Sequence, residues 1–133
     1  MSSGQFAVST SARMEFVDIT TQLQQAVDDS GVSDGLLVIY NPHTTAGITI
    51  NEGADPAVQN DLIGAFARII PEDHPYKHRE GNSPSHIMGT LTGSSASVFI
   101  EKGCIRLGTW QRIFFCEYDG PRSRKVWWKI LKG

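Results

Sequence analysis

Cysteine is scarce in this chain, which contains only Cys104 and Cys116, and the two do not form a CxxC pair. They are too few for the disulfide framework of a small secreted domain. No apolar run approaches the roughly 20 residues that a membrane-spanning helix needs, and the N-terminal residues lack the basic and apolar regions of a signal peptide. The sequence therefore predicts a cytoplasmic protein with free thiols and no membrane partner.

An excess of positive charge is also missing. Twelve Lys and Arg residues against 14 Asp and Glu residues give a net charge of -2, which argues against a general nucleic-acid binder. One basic segment stands out, and its members are Arg122, Arg124, Lys125, Lys129 and Lys132. A solvated strand face is its default interpretation, and contact with a phosphate or with RNA is the alternative.

Three common catalytic or binding motifs are absent: the GxxxxGK[ST] phosphate loop, the GxSxG nucleophile elbow and the dinucleotide-binding glycine fingerprint. No compact metal-ligand signature such as HExxH occurs either. A site in this protein must therefore be assembled from residues that lie far apart in the sequence.

The 133 residues suffice for one domain with a single core, and residues 1–133 are assigned to it. Apolar periodicity predicts a short helix at about 20–29 and a main helix at about 55–70, with Asp55 as N-cap, Pro56 at the first position and Pro71 at the end. A further short helix is predicted at 85–91. Strands are predicted within 5–17 and at 36–40, 46–51, 97–100, 104–107, 109–119 and 123–131. This order predicts an α+β fold, a compact sandwich of largely antiparallel sheets.

The stretch from His43 to Glu52 combines an imidazole, hydroxyls, an amide and a carboxylate on a run that otherwise has the pattern of a core strand. It follows the apolar run 36–40, which is typical of a strand buried on both faces. Asn41-Pro42 breaks that strand, so His43 lies where a central strand ends. A site residue and a histidine that merely caps a turn are the two interpretations.

Residues 71–85 form a long irregular segment, of the kind that is usually functional or disordered. His74 and His78 lie in it, and His86 follows it. If the segment folds back over the end of the central strand, His78 and His86 meet His43. Three imidazoles with an open coordination position are typical of a catalytic zinc site, whereas His74 is expected on the surface.

Glu117 is predicted to need a polar partner. Alternation along 109–119 places Glu117 on the same face as Ile113 and Phe115, where a carboxylate needs a cation, a metal or a hydrogen-bond donor. An ion pair with Arg122 or Arg124 and a role in a site are both open.

Trp127 and Trp128 face opposite sides of a strand, so we predict that one of them lies in an oligomer interface, with a hydrophobic lip of the pocket as the alternative.

Motifs along almost the whole chain resemble those of the YjbQ-like proteins, also called the secondary thiamine-phosphate synthase family. These motifs are His43-Thr44-Thr45-Ala46-Gly47, Asn51-Glu52, Gly81-Asn82, Ser85-His86-Ile87, Gly93, Leu107-Gly108-Thr109-Trp110-Gln111, Phe115, Glu117 and Asp119-Gly120-Pro121-Arg122. Many relatives carry a second histidine at the position of Pro84, where this chain departs from the pattern.

The resemblance implies a sandwich-like homotrimer with sites near the subunit boundaries. It implies an enzyme that joins hydroxymethylpyrimidine diphosphate to thiazole phosphate and releases diphosphate, and hence a small phosphorylated substrate. It also implies a divalent metal, zinc by preference and magnesium as the alternative. A metal-dependent phosphate-ester hydrolase and a non-catalytic metal- or anion-binding module are the other functions considered.

The resemblance assigns the site residues as follows. The metal ligands are His43, His78 and His86. The catalytic residues are Glu52, Gln111 and Glu117. The substrate-binding residues are Thr44, Thr45, Asn51, Asn82 and Arg122.

Overall fold

The computed structural model describes residues 2–133. In chain order its elements are β1 (Ser2–Ser9), β2 (Glu15–Asp18), α1 (Thr20–Ser30), β3 (Gly35–Tyr40), β4 (Ala46–Glu52), α2 (Pro56–Ile69), α3 (Ser83–Thr92), β5 (Ser95–Glu101), β6 (Cys104–Ile105), β7 (Gln111–Glu117) and β8 (Ser123–Lys132). The predicted main helix is confirmed, with the Asp55 side chain accepting from the N–H of Ala57. The other two helices extend the predicted ones by one or two residues.

Two antiparallel sheets pack together. The strand order is β1-β8-β3-β5-β6 in the five-stranded sheet and β2-β7-β4 in the three-stranded sheet. One apolar core lies between them and is completed by α1, which contributes Leu23 and Val27. The predicted α+β class with antiparallel sheets is therefore confirmed.

Strand β7 is the centre of the three-stranded sheet and is buried on both faces. Ile113 and Phe115 face the main core, and Phe114 and Cys116 belong to a second apolar cluster that Phe66 of α2 covers. Burial raises the pKa of the Cys116 thiol to about 12. Both cysteines are free, as predicted.

The single strand predicted within 5–17 is wrong. The structure has two strands there, and they lie in different sheets, β1 beside β8 and β2 beside β7. The chain turns at Ser11, whose N–H and hydroxyl both bond the Glu15 carboxylate. Val and Phe occur on both sides of this turn and neither Gly nor Pro lies between them, so the sequence pattern hides it.

The prediction that β3 is buried on both faces is also wrong. Leu37 and Ile39 are buried in the core, whereas Tyr40 on the opposite face is 46% exposed. That outer face of the five-stranded sheet carries more exposed apolar side chains on the neighbouring strands.

In the described part of the chain, every helix is too short or too polar to cross a membrane. The cytoplasmic location stays a prediction.

Candidate functional site

A polar cavity of about 650 Å³ opens where β3 ends and β8 begins. Its walls are formed by Pro42, His43, Thr44, Thr45, His78, Glu80, Asn82, His86, Asp119, Arg122 and Arg124. These residues come from the segment after β3, from the segment before α3 together with α3 itself, and from the turn between β7 and β8 together with the first residues of β8. The cavity therefore forms only when three separate parts of the sequence pack together.

Asn41 determines the backbone path that carries His43. It is almost fully buried, and its Nδ2 donates to the carbonyls of His43 (2.9 Å) and Ala46 (2.8 Å). Its Oδ1 accepts from the N–H of His43 at 2.9 Å. The asparagine thus satisfies backbone groups that a buried turn would otherwise leave unpaired.

The His43 ring is held between a strand and an aromatic ring. Its Nε2 accepts the main-chain N–H of Lys125 at 2.9 Å, and its ring lies nearly perpendicular to that of Phe115 with the centroids 6.3 Å apart. Burial lowers the pKa of His43, and the positive charge of Arg124 lowers it further. The neutral imidazole is therefore favoured.

His78 and His86 form a pair that also lines the cavity. Their ring centroids are 5.3 Å apart, and the rings are almost perpendicular. Helix α3 carries His86 and is anchored by Ser85, whose hydroxyl donates to the carbonyl of Tyr118 at 2.6 Å. His74 lies away from the cavity, against Tyr76. The segment before α3 thus brings two imidazoles to the cavity that His43 also lines.

The floor of the cavity is a buried ion pair. Glu117 has no solvent exposure and Arg124 is 3% exposed. The Arg124 Nε donates to Oε1 of Glu117 at 2.8 Å, and its Nη2 bonds Oε2 and the Thr45 hydroxyl. Thr10 and the N–H of Asp119 also donate to the carboxylate. Burial opposes ionisation of Glu117, but these donors outweigh it and lower its pKa.

Glu117 therefore has the ion-pair role, and its partner is Arg124 rather than Arg122. Its carboxylate oxygens already accept four hydrogen bonds from three residues, which argues against the predicted catalytic role. Sequence reasoning missed Thr10, which lies 107 positions away from Glu117.

Arg122 is bound at the rim to Asp119. Its Nε donates to the Asp119 carbonyl at 2.9 Å and its Nη2 to Oδ2 at 3.1 Å. Half of the Arg122 side chain is exposed, and its Nη1 makes no hydrogen bond within residues 2–133. Asn82 donates to the same Asp119 carboxylate, which leaves its own Oδ1 buried without a partner. The wall therefore offers unused donors and one unused acceptor.

Four predicted site residues do not line this cavity: Glu117, which bonds Arg124 of its wall, and three others that lie elsewhere. Gln111 accepts the N–H of Gly108 and lines a different cavity of about 440 Å³ beside α1. Glu52 accepts the N–H groups of Ala54 and Asp55 before α2, and Asn51 lines a third cavity near α2.

The ladder between β4 and β7 explains this separation. Ala46 pairs with Glu117 beside the cavity, whereas Glu52 pairs with Gln111 six residues further along. At about 3.4 Å per residue, six residues place them about 20 Å away. The roles predicted for Glu52, Gln111 and Asn51 therefore lack positional support within one chain.

The zinc prediction is wrong. Within residues 2–133, no group of three or more His, Cys, Asp or Glu side chains is arranged to hold a metal ion. His43, His78 and His86 share a cavity, but zinc needs every ligand atom within about 2.0–2.3 Å of one point. Since the His43 Nε2 is also occupied by Lys125, the three imidazoles do not fit the predicted centre. Magnesium stays a prediction.

The donors that are present allow other chemistry. Imidazole and guanidinium N–H groups bind oxyanions, and imidazole can give or take a proton near neutral pH. The fold and the cavity thus define an α+β sandwich protein with a histidine- and arginine-lined pocket.

A family model described as "UPF0047 protein YjbQ-like" matches residues 4–133, and the chain belongs to this family. It is 49% identical over 126 residues to UPF0047 protein MJ1081 of Methanocaldococcus jannaschii, covering 95% of this chain and 91% of that protein. It is 43% identical over 125 residues to UPF0047 protein YugU of Bacillus subtilis, covering 93% and 95%.

Two solved structures share the fold. A YjbQ/UPF0047 family protein of Clostridium acetobutylicum superposes with a TM-score of 0.94 at 52% identity, covering 96% of this chain and 98% of that chain. A protein of Sulfolobus solfataricus, described as of unknown function, has a TM-score of 0.94 at 32% identity and covers 99% and 97%.

These comparisons correct the predicted function. The relatives are named only as UPF0047 proteins, and a solved member is described as of unknown function. Thiamine-phosphate synthase and transferase activity therefore have no support. The predicted hydrolase and metal-binding module are also withdrawn, because both relied on the metal centre that the residues do not form.

Proposed function

We propose that the cavity binds a small phosphorylated molecule directly, through N–H groups of the protein. The observation that carries this proposal is that His43, His78, His86 and Arg122 all line one cavity. Its volume of about 650 Å³ lies in the range of small-molecule sites. Planar guanidinium and imidazole donors suit the several oxygens of a phosphate group.

The charges around the cavity make the imidazole N–H groups important for binding an anion. Arg122 is paired with Asp119 and Arg124 with Glu117, so both guanidinium charges are already balanced. Glu80 adds a further carboxylate to the wall. A phosphate must therefore be held by N–H groups rather than by unbalanced charge, and the imidazoles add such groups beside Arg122.

Calorimetric titration with glycerol phosphate tests the proposal, with uncharged glycerol as the ligand control. We expect saturable binding of the phosphate ester only.

Matched variants locate the binding site. Arg122→Met and His86→Phe each remove a cavity donor and should weaken binding by about tenfold or more, since a charge-assisted hydrogen bond contributes about 1.5–3 kcal/mol. Arg106→Met and His74→Phe remove the same kinds of group elsewhere and should leave the affinity unchanged. Equal weakening by all four variants, or no saturable binding of the ester, would overturn the proposal.

We also propose the homotrimer that the family resemblance implies, with the outer face of the five-stranded sheet as the interface. Tyr40 and Trp127 stack there with ring centroids 5.9 Å apart, and Phe99 and Leu131 beside them are 63% and 42% exposed. Leu36 pairs with both Phe99 and Leu131, so these side chains share one face. A contiguous apolar patch of this kind is typical of a protein interface. The number three rests on the resemblance.

A further inference from the structure

We propose that His43 is held as its Nδ1–H tautomer and donates that proton to an acceptor atom of the ligand. This inference rests on the proposed function, because it assigns the part of the phosphorylated molecule that faces His43. It makes His43 a specificity-determining residue.

The tautomer follows from the identity of its partner. The group facing the His43 Nε2 is the main-chain N–H of Lys125, at 2.9 Å. A main-chain N–H can only donate, so Nε2 must accept with its lone pair. A neutral imidazole carries one proton, which is then on Nδ1.

The fold explains why this N–H is available. Strand β3 ends at Tyr40, opposite Trp127 of β8. Beyond Tyr40, β3 offers no further residue to pair with that edge of β8. The His43 imidazole accepts the main-chain N–H of Lys125 instead. Asn41 holds the backbone of His43 at both its N–H and its carbonyl, so the ring is positioned from two sides.

The remaining nitrogen faces open space. The His43 Nδ1 makes no hydrogen bond within residues 2–133, and the atom is not buried. His43 lines the main cavity and also a neighbouring one of about 330 Å³, which shares Pro42, Thr44 and His86 with it. The Nδ1–H is therefore a donor that a bound molecule can reach.

This arrangement determines which ligand groups fit against His43. A phosphate oxygen accepts from Nδ1–H, whereas an ammonium group or a metal ion meets a proton there. Freeing Nδ1 for a metal would move the proton to Nε2, against the N–H of Lys125, and would break that hydrogen bond.

Long-range ¹H–¹⁵N correlation NMR on the labelled protein at pH 7.5 tests the tautomer without a ligand, with the His43→Asn spectrum supplying the assignment. We expect a protonated Nδ1 and an unprotonated Nε2. A protonated Nε2 would overturn the inference. Glycerol phosphate should then shift the Nδ1 signal more than the Nε2 signal.

Two variants separate the two nitrogens. His43→Gln places an acceptor near Lys125 but removes the donor at the Nδ1 position, and should weaken binding of glycerol phosphate by about tenfold. His43→Asn places an amide donor near the Nδ1 position and should recover most of that loss. The reverse order would contradict the inference.

The two proposals fail in different ways. The predicted tautomer without any phosphate binding would overturn the proposed function alone. Phosphate binding by a protein with a protonated Nε2 at His43 would overturn the tautomer inference alone.

Discussion

Glu117 and Arg124 form a buried ion pair that joins the two sheets of the sandwich. Glu117 ends β7 of the three-stranded sheet, and Arg124 lies on β8 of the five-stranded sheet. The turn between them places Asp119 and Arg122 on the rim of the cavity. One contact therefore supports both the packing of the sheets and the floor of the candidate site.

Removing either partner of this pair should destabilise the folded protein. Glu117→Gln and Arg124→Met each leave an uncompensated buried charge, and each should lower the free energy of unfolding by about 3–5 kcal/mol. The combined variant Glu117→Gln/Arg124→Met should lose less than the sum of the two single losses. Urea unfolding monitored by tryptophan fluorescence measures these differences.

An exposed pair supplies the control. Arg106 contacts Glu101 on the surface, where both side chains are about half exposed or more. Glu101→Gln should therefore change the free energy of unfolding by less than about 1 kcal/mol. Similar losses for Glu101→Gln and Glu117→Gln would contradict the role assigned to the buried pair.

The lowered pKa of His43 should make stability depend on pH. The ordinary pKa of histidine is 6.5 and the pKa of His43 in the folded protein lies below it, so the unfolded chain binds more protons than the folded chain as the pH falls below 6.5. The contribution of His43 is thus fully present above pH 6.5 and is lost as the pH falls toward the folded pKa. His43→Asn should lose less stability than the wild type between pH 7.5 and 5.5 in urea titrations. An identical loss in both proteins would refute this.

Two glycines in helices should respond to alanine in opposite ways. A Cβ at Gly89 of α3 would lie 2.9 Å from the carbonyl oxygen of Ala46, so Gly89→Ala must push α3 away from β4 and should cost about 1–3 kcal/mol. A Cβ at Gly64 of α2 meets nothing within 4 Å, and Gly64→Ala should stabilise the protein by about 0.5–1 kcal/mol.

Thermal unfolding of the two alanine variants measures this contrast. Because α3 carries His86, Gly89→Ala should also weaken phosphate binding, whereas Gly64→Ala should not. Stabilisation by Gly89→Ala would show that α3 does not need its close approach to β4.

The proposed trimer predicts the effect of a charge in the apolar patch. Trp127→Lys places an ammonium group beside Tyr40 and should convert a species of three times 14.6 kDa into a monomer in light scattering coupled to gel filtration. Trp110→Lys changes a tryptophan that is 63% exposed in the turn before β7 and should keep the wild-type mass. A wild-type protein that is itself monomeric would exclude the trimer.

Part of the site follows from local sequence. Asp55 and Pro56 predict the start of α2, and the parity of the strand through Ile113 and Phe115 predicts that Glu117 is buried and needs a partner. The choice between Arg122 and Arg124 does not follow, because both lie just past the same turn. Packing of the two sheets settles it, since it buries Arg124 and leaves Arg122 at the rim.

The amino-acid sequence alone determined the helices, the antiparallel strands and the need of Glu117 for a cation, because periodicity and capping act over a few residues. Tertiary structure decided that β1 and β2 separate into different sheets, that Gln111 lies far from His43, and that Lys125 holds the His43 ring. The contact between His43 and Lys125 joins residues 82 positions apart. Contacts at that distance depend on how the sheets pack, which no local pattern encodes.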